Sequence, residues 1–248
     1  MADITAVVLA AGMGVRMGAR GRLMPKGLIP VGGVPMITQS VDMLRRAGMA
    51  RIIVVTGHLS DQYEALFAGS DVELVHNPHY ATTGSLLSLA VGLEPVKTAC
   101  VIVESDLIYS PQALEPLDCQ TDRFLVSGPT GAGDEVYVWA DTQADGTYRL
   151  ADISKNPARR PEPPLGEMVG LTALTADTVP RMREAAARVL ERRPEEHYEP
   201  GLVALAREVA VECPLMPDLP WAEIDDEEML ARAENLVFPR VMAARDQS

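Results

Sequence analysis

Apolar residues come in short runs separated by polar, glycine-rich turns. Residues 4–10 (Ile-Thr-Ala-Val-Val-Leu-Ala) form the first run, rich in β-branched side chains, and predict a buried strand. A glycine-rich loop follows over residues 12–33. Pro35 then opens a helix whose apolar positions Ile37, Val41 and Leu44 recur at i, i+4 and i+7, with Gly48 as its stop. Further strands are predicted at 51–56, 72–75 and 99–103. Short helices are predicted at 60–67, with Ser60 as cap, and at 84–93. Strands alternating with helices imply a parallel sheet wound by right-handed crossovers, in which ligands bind beyond the carboxyl ends of the strands.

The second half is less regular. Strands are predicted at 124–127, 135–140 and 168–173, and Asp145-Gly146 is a hairpin signal leading to Tyr148-Arg149-Leu150. Residues 157–164, with four prolines, Arg159 and Arg160, predict an exposed loop. Residues 177–193 predict a helix that buries Val179, Met182 and Ala186, and residues 226–237 predict the last helix. No repeat or linker divides the chain, so residues 1–248 are read as one domain.

Of the 248 residues, 47% are hydrophobic and 23% charged, which excludes a disordered chain. No apolar run has the length of a membrane span, and no basic segment precedes an apolar stretch at Met1-Ala2-Asp3-Ile4. Cys100, Cys119 and Cys213 suggest neither a disulfide framework nor a metal knuckle. A reduced, cytoplasmic protein is the expectation. The net charge of −13 argues against nucleic acid or an anionic membrane as partner. Within this acidic chain no acid lies between Asp3 and Asp42, where about five would be average, yet Arg16, Arg20, Arg22 and Lys26 all fall there. The reverse holds from Glu212 to Glu234, where eight acids face Arg232 alone.

Four segments carry candidate chemistry. Leu9-Ala10-Ala11-Gly12-Met13-Gly14-Val15-Arg16-Met17-Gly18 is not a dinucleotide fingerprint, because Met17 stands where its last glycine would be. It is not a Walker A loop, because Lys26 precedes Gly27 and Leu28. It is a strand followed by glycines that let backbone N–H groups approach phosphate, then a guanidinium and a Pro-Lys pair. The alternative is a tight turn with surface bases. Glu104-Ser105-Asp106 closes the fourth strand and offers hard oxygen ligands, with a helix cap as the alternative for Asp106. In Trp221-Ala222-Glu223-Ile224-Asp225-Asp226, an extended backbone puts Glu223 and Asp225 on one face and Ile224 on the other, leaving Asp226 to cap the last helix. In Asn77 through Leu86, the hydroxyls of Thr83 and Ser85 flank Gly84 and suit either a pyrimidine edge or helix capping. His58, His76, His79 and His197 have no zinc spacing.

The run Leu9 to Met17, then Pro25-Lys26, then Val31-Gly32-Gly33-Val34-Pro35 resembles the signature of nucleotidyltransferases that join a nucleoside triphosphate to a sugar phosphate or a small phospho-alcohol. The resemblance implies a Rossmann-like α/β fold, a mostly parallel mixed sheet flanked by helices. It implies a nucleotide held by Leu9, Ala10, Ala11, Gly12 and Gly14, with Arg16 and Lys26 as the catalytic cations on its phosphates. The ending Trp-x-Glu-Ile-Asp and the Thr83-Gly84-Ser85 segment are similar to the cytidylyltransferase branch, although Gly84 replaces a bulkier residue there. From that branch follow CTP as donor, Mg²⁺ on Asp106 and Asp225, and an acceptor beside the Tyr198-Glu199 pair. By their own chemistry the carboxyls of Glu104 and Glu223 suit an acceptor ammonium, and Glu167, in Gly166-Glu167-Met168-Val169-Gly170-Leu171, faces either the acceptor or solvent at a strand start. A homodimer is compatible with the resemblance. Carboxylates are plentiful and aromatics amount to 4%, so the expected acceptor is 2-aminoethylphosphonate ahead of phosphocholine. A sugar-phosphate enzyme and a nucleotide-binding module without turnover remain the other readings.

Overall fold

The structure, a computed structural model, describes residues 3–246. Strand β1 (Ile4–Ala10) leads into the segment read as a plain loop. That segment instead holds a 3₁₀ turn (Val15–Met17), the short helix α1 (Gly18–Leu23), a second 3₁₀ turn (Lys26–Leu28) and a hairpin of β2 (Pro30–Val31) and β3 (Val34–Pro35). Helix α2 (Met36–Arg46), β4 (Arg51–Thr56), α3 (Ser60–Leu66), β5 (Glu73–His76), α4 (Ser85–Leu93) and β6 (Ala99–Glu104) follow. Ser60 does not cap α3. Leu59 occupies the cap in a left-handed conformation, and no side chain bonds the helix end there.

The remaining elements are β7 (Leu107–Tyr109), β8 (Arg123–Ser127), β9 (Tyr137–Thr142), β10 (Tyr148–Ser154), β11 (Gly166–Leu174), α5 (Thr178–Leu190), α6 (Glu199–Ala206), β12 (Leu215–Met216), β13 (Trp221–Glu223), α7 (Glu227–Arg232) and α8 (Phe238–Arg245). The large sheet is mixed, with β5-β4-β1-β6 parallel. On the other side of β6 the antiparallel β11 carries β9 and β10. A separate two-stranded ribbon pairs β7 with β13 and sets Glu223 opposite Leu107.

Alternate residues of β1 serve opposite faces, as the pleat requires. Ala6, Val8 and Ala10 pack with Ile37, Val41 and Leu44 of α2, while Val7 and Leu9 pack with Leu86, Leu89 and Leu93 of α4. A third cluster joins Met17, Ile29 and Val31 to Ile224, Leu230 and Val241. It clamps the C-terminal segment over the residues that follow β1. Asp226 caps α7 as expected, its Oδ1 accepting from Met229 N at 2.8 Å. The last helical segment outruns its expected end at 237: a π turn (Ala233–Val237) carries the chain into α8, with Pro239 in the first turn, where a missing N–H is tolerated. Among the described residues, no helix is long and apolar enough to cross a membrane.

Candidate active site

The site grows from the carboxyl ends of adjacent parallel strands. β1 and β6 pair with Leu9 opposite Glu104, and the chain beyond β6 is held close by Ser105 N donating to Leu9 O at 3.2 Å. β4 lies on the other side of β1, and His58 N donates to Ala11 O. Where β1 ends, Gly14 adopts φ +58°, a left-handed turn that side chains resist. A Cβ there would lie 2.9 Å from Lys26 Cγ, so the bare backbone is what lets the lysine stem lie across the loop.

Lys26 follows Pro25 and points its ammonium between two carboxylates, bonding both Asp106 and Asp225. Arg16 reaches the other oxygen of Asp225 and also bonds Asp134, which Lys155 holds at 2.9 Å. Burial opposes charge on Lys26, but Asp106 and Asp225 overcome it, and its pKa rises above the ordinary lysine value. Burial likewise opposes ionisation of Asp225, yet Lys26 and then Arg16 prevail and hold its pKa below the usual range.

The neighbouring carboxyls behave oppositely. Burial, reinforced by Glu223 and Asp106, pushes Glu104 well above the carboxylate range. Burial, reinforced by Asp106 and Asp225, does the same to Glu223. Of these two neighbours, burial makes the Glu223 carboxyl the harder to ionise, while Lys26 and Arg16 make that of Asp225 the easier. Oxygens of Glu104, Asp106 and Glu223 all lie within 4.8 Å of one another. That is more carboxyl than Lys26 and Arg16 neutralise. The donor set is all hard oxygen, which fits a divalent cation such as Mg²⁺.

A cavity of about 340 Å³ unites these groups. Leu9, Ala10, Ala11, Gly12, Arg16 and Lys26 line one wall. Thr83, Gly84 and Ser85 line another, and Glu104, Asp106, Glu223 and Asp225 complete it. Gly14 lies behind Lys26 rather than on the lining. Glu167 lies outside the cavity, in a smaller adjoining hollow. Its carboxylate accepts from Thr130 N at 3.0 Å and from Thr130 Oγ1 at 2.7 Å. Tyr198 is buried beneath the cavity, its hydroxyl without a partner among the described residues. The Thr83 hydroxyl donates to His79 O at 2.8 Å. Ser85 Oγ accepts from Tyr198 N at 3.1 Å instead of capping α4.

Sequence reasoning did not single out Tyr63, Tyr80, Asp134 or His197. Tyr63 is buried, and its hydroxyl lies close against Gly27, where an added Cβ would come within 2.9 Å of it. It reaches the site from α3, where no spacing advertised it. Glu199, the first residue of α6, also faces the cavity, with Oε2 buried and unpartnered among the described residues.

A cationic loop and a ring of acids at parallel strand ends define a nucleotidyltransferase-type centre, and the chain belongs to the MobA-like NTP transferase family, whose domain matches residues 6–152. The chain is 35% identical over 133 residues to the 2-aminoethylphosphonate cytidylyltransferase of Lancefieldella rimae. It is 34% identical over 128 residues to the CMP-5'-(3-aminopropyl)phosphonate synthase of Streptomyces rubellomurinus, and 29% identical over 134 residues to the choline-phosphate cytidylyltransferase of Streptococcus pneumoniae. These alignments cover 50–51% of this chain and 53%, 20% and 58% of the respective relatives. The fold matches the solved CTP:phosphocholine cytidylyltransferase of S. pneumoniae with TM-score 0.77 at 20% identity, over 94% of this chain and 99% of the other. It matches the inositol-1-phosphate CTP transferase of T. maritima with TM-score 0.77 at 18% identity, over 100% and 98%.

Proposed function

We propose that the protein transfers CMP from CTP to a small phosphonate or phospho-alcohol, with 2-aminoethylphosphonate as the preferred acceptor, and releases pyrophosphate. A phosphonate oxygen of the acceptor attacks the α-phosphorus in line, the bond to the bridging α–β oxygen breaks, and pyrophosphate departs. The acceptor oxygen is already ionised, so the site needs positioning and charge stabilisation more than a strong base. Lys26 and Arg16 would exchange their carboxylate partners for the incoming phosphates, and the exchange would free Asp225. Asp106 and Asp225, with Glu223 beside them, would hold Mg²⁺, which when bound neutralises charge building on the phosphate oxygens. Leu9 to Gly12 and the 83–85 segment would hold the nucleoside.

The observation that carries the acceptor assignment is the acidic floor. Glu104, Glu223 and the unpartnered Glu199 Oε2 face one cavity. A primary ammonium can donate three hydrogen bonds to such a floor, whereas a quaternary one can donate none and favours stacked aromatic faces. The two tryptophans do not supply such faces. Trp139 is buried and donates to Glu162 O at 2.8 Å, and Trp221 lines the adjoining hollow. The two aminophosphonate relatives support the same acceptor class.

The test is a matrix of four nucleoside triphosphates against 2-aminoethylphosphonate, phosphocholine and a sugar 1-phosphate, read by pyrophosphate release. CTP with 2-aminoethylphosphonate should give the highest kcat/KM. A higher value with phosphocholine overturns the acceptor assignment. Absence of pyrophosphate in every well, with nucleotide bound, reduces the protein to a binding module.

A further inference from the structure

Outside the site, a second hollow of about 640 Å³ lies between the end of β10, the end of α5 and one face of α6. Five arginines line it, Arg159, Arg188, Arg192, Arg193 and Arg207, against two acids, Asp152 and Glu191. Its floor is apolar, from Ile153, Val189 and Val203. In a chain of net charge −13 the lining has more cations than acids, and it keeps an excess of one cation when the paired Glu196 and Glu208 are counted as well. Three of the arginines are paired, Arg159 with Asp152, Arg188 with Glu208 and Arg193 with Glu196. Arg192 and Arg207 have no ion pair among the described residues. Both follow helix ends, where a cation complements the helix dipole. That role does not account for Arg159, which a separate loop brings in. Nor does it account for a concave shape with an apolar base.

We propose that this hollow is a second anion site, and that it takes a small molecule carrying two or more phosphate or phosphonate groups. Guanidinium forks bind phosphoryl oxygens bidentately, and the two without ion pairs, Arg192 and Arg207, with three more that could exchange a carboxylate for a phosphoryl group, favour a multiply charged ligand over a single phosphate. Residues 193–200 form the partition between the two cavities, since Arg193 and Pro200 line this hollow while His197 and Glu199 line the other.

The probe is pyrophosphate, with inorganic phosphate as comparator, followed by calorimetry and amide hydrogen exchange on the full chain without nucleotide or acceptor. Pyrophosphate should slow exchange over residues 188–209. Arg192→Ser/Arg207→Ser should abolish that slowing and remove one equivalent of bound ligand, while transfer at the site cavity stays unchanged. Inorganic phosphate should bind at least about tenfold more weakly than pyrophosphate. Unchanged exchange over 188–209 in the wild-type protein overturns the proposal, whatever the variant does. So does equal stoichiometry in a folded double variant. Because neither readout involves turnover, failure of the transfer assay leaves this result intact, and the converse holds.

Discussion

Replacing Lys26 by methionine keeps most of its stem and deletes its charge, and the structure sets what should follow. The ammonium lies between Asp106 and Asp225, whose side chains are 13% and 4% exposed, while its own is 16% exposed. Removing one partner of such a buried pair costs about 3–5 kcal/mol. The lower end, about 3 kcal/mol, applies here because Arg16 stays on Asp225 and the carboxyls can take up protons. For a chain of this length that corresponds to a fall in Tm of roughly 6–12 °C. The effect on activity is larger. On the proposed role, in which Lys26 meets the triphosphate, the cation contributes to the transition state as other preorganised charge donors do, so turnover should drop about 10²–10³-fold. Pyrophosphate release at saturating CTP and acceptor, well below the variant's melting temperature, separates the two effects. A folded Lys26→Met protein with turnover within about threefold of wild type would show that the lysine is a structural tether for two acids and not a phosphate ligand.

Three further outcomes are expected. A Cβ at Gly84 would lie 2.2 Å from Glu196 O and 2.4 Å from Glu195 O, so Gly84→Ala must push the 195–199 segment away. It should raise the acceptor KM more than the CTP KM in steady-state assays, and equal rises would contradict that placement. Burial raises the pKa of Glu167 despite the two Thr130 hydrogen bonds. The native state therefore holds its proton more tightly than the unfolded chain, and this contribution is present below the ordinary glutamate value and fades as pH rises through the raised one. Glu167→Gln should accordingly gain stability relative to wild type as pH rises above the ordinary glutamate value, read in urea titrations, and parallel pH slopes would refute it. Burial also pushes the thiols of Cys119 and Cys213 up to about 12 and raises that of Cys100. All three should resist a thiol reagent at pH 8 and react once the protein is denatured, and prompt labelling of the folded protein would contradict their burial.

The parallel half of the fold was legible because its strands are short β-branched runs and its helices have clear periodicity. The acid-free stretch around Arg16 and Lys26 pointed to the cations, and the Trp221 to Asp226 segment pointed to the acids that meet them. What stayed hidden has physical reasons. β7 and β13 are three residues each, too short for alternation to register. α6 is apolar around most of its turn, so no stripe announces it. Glu167 read as a substrate contact because the bend that buries it under Thr130 is set by tertiary pairing. The sequence could place Glu223 and Asp225 on one face, but not reveal that burial pushes the pKa of one up while Lys26 and Arg16 hold the other down.

The family match ends at residue 152, yet Tyr198, Glu199, Glu223 and Asp225 all come from beyond it. The matched portion thus supplies the glycine loop and its cations, while Glu199, Glu223 and Asp225 come from the length of chain after it. Any exchange of residues 166–246 would therefore also replace Asp225, the carboxylate that Lys26 and Arg16 both bond, so the two lengths of chain have to match each other across the cavity.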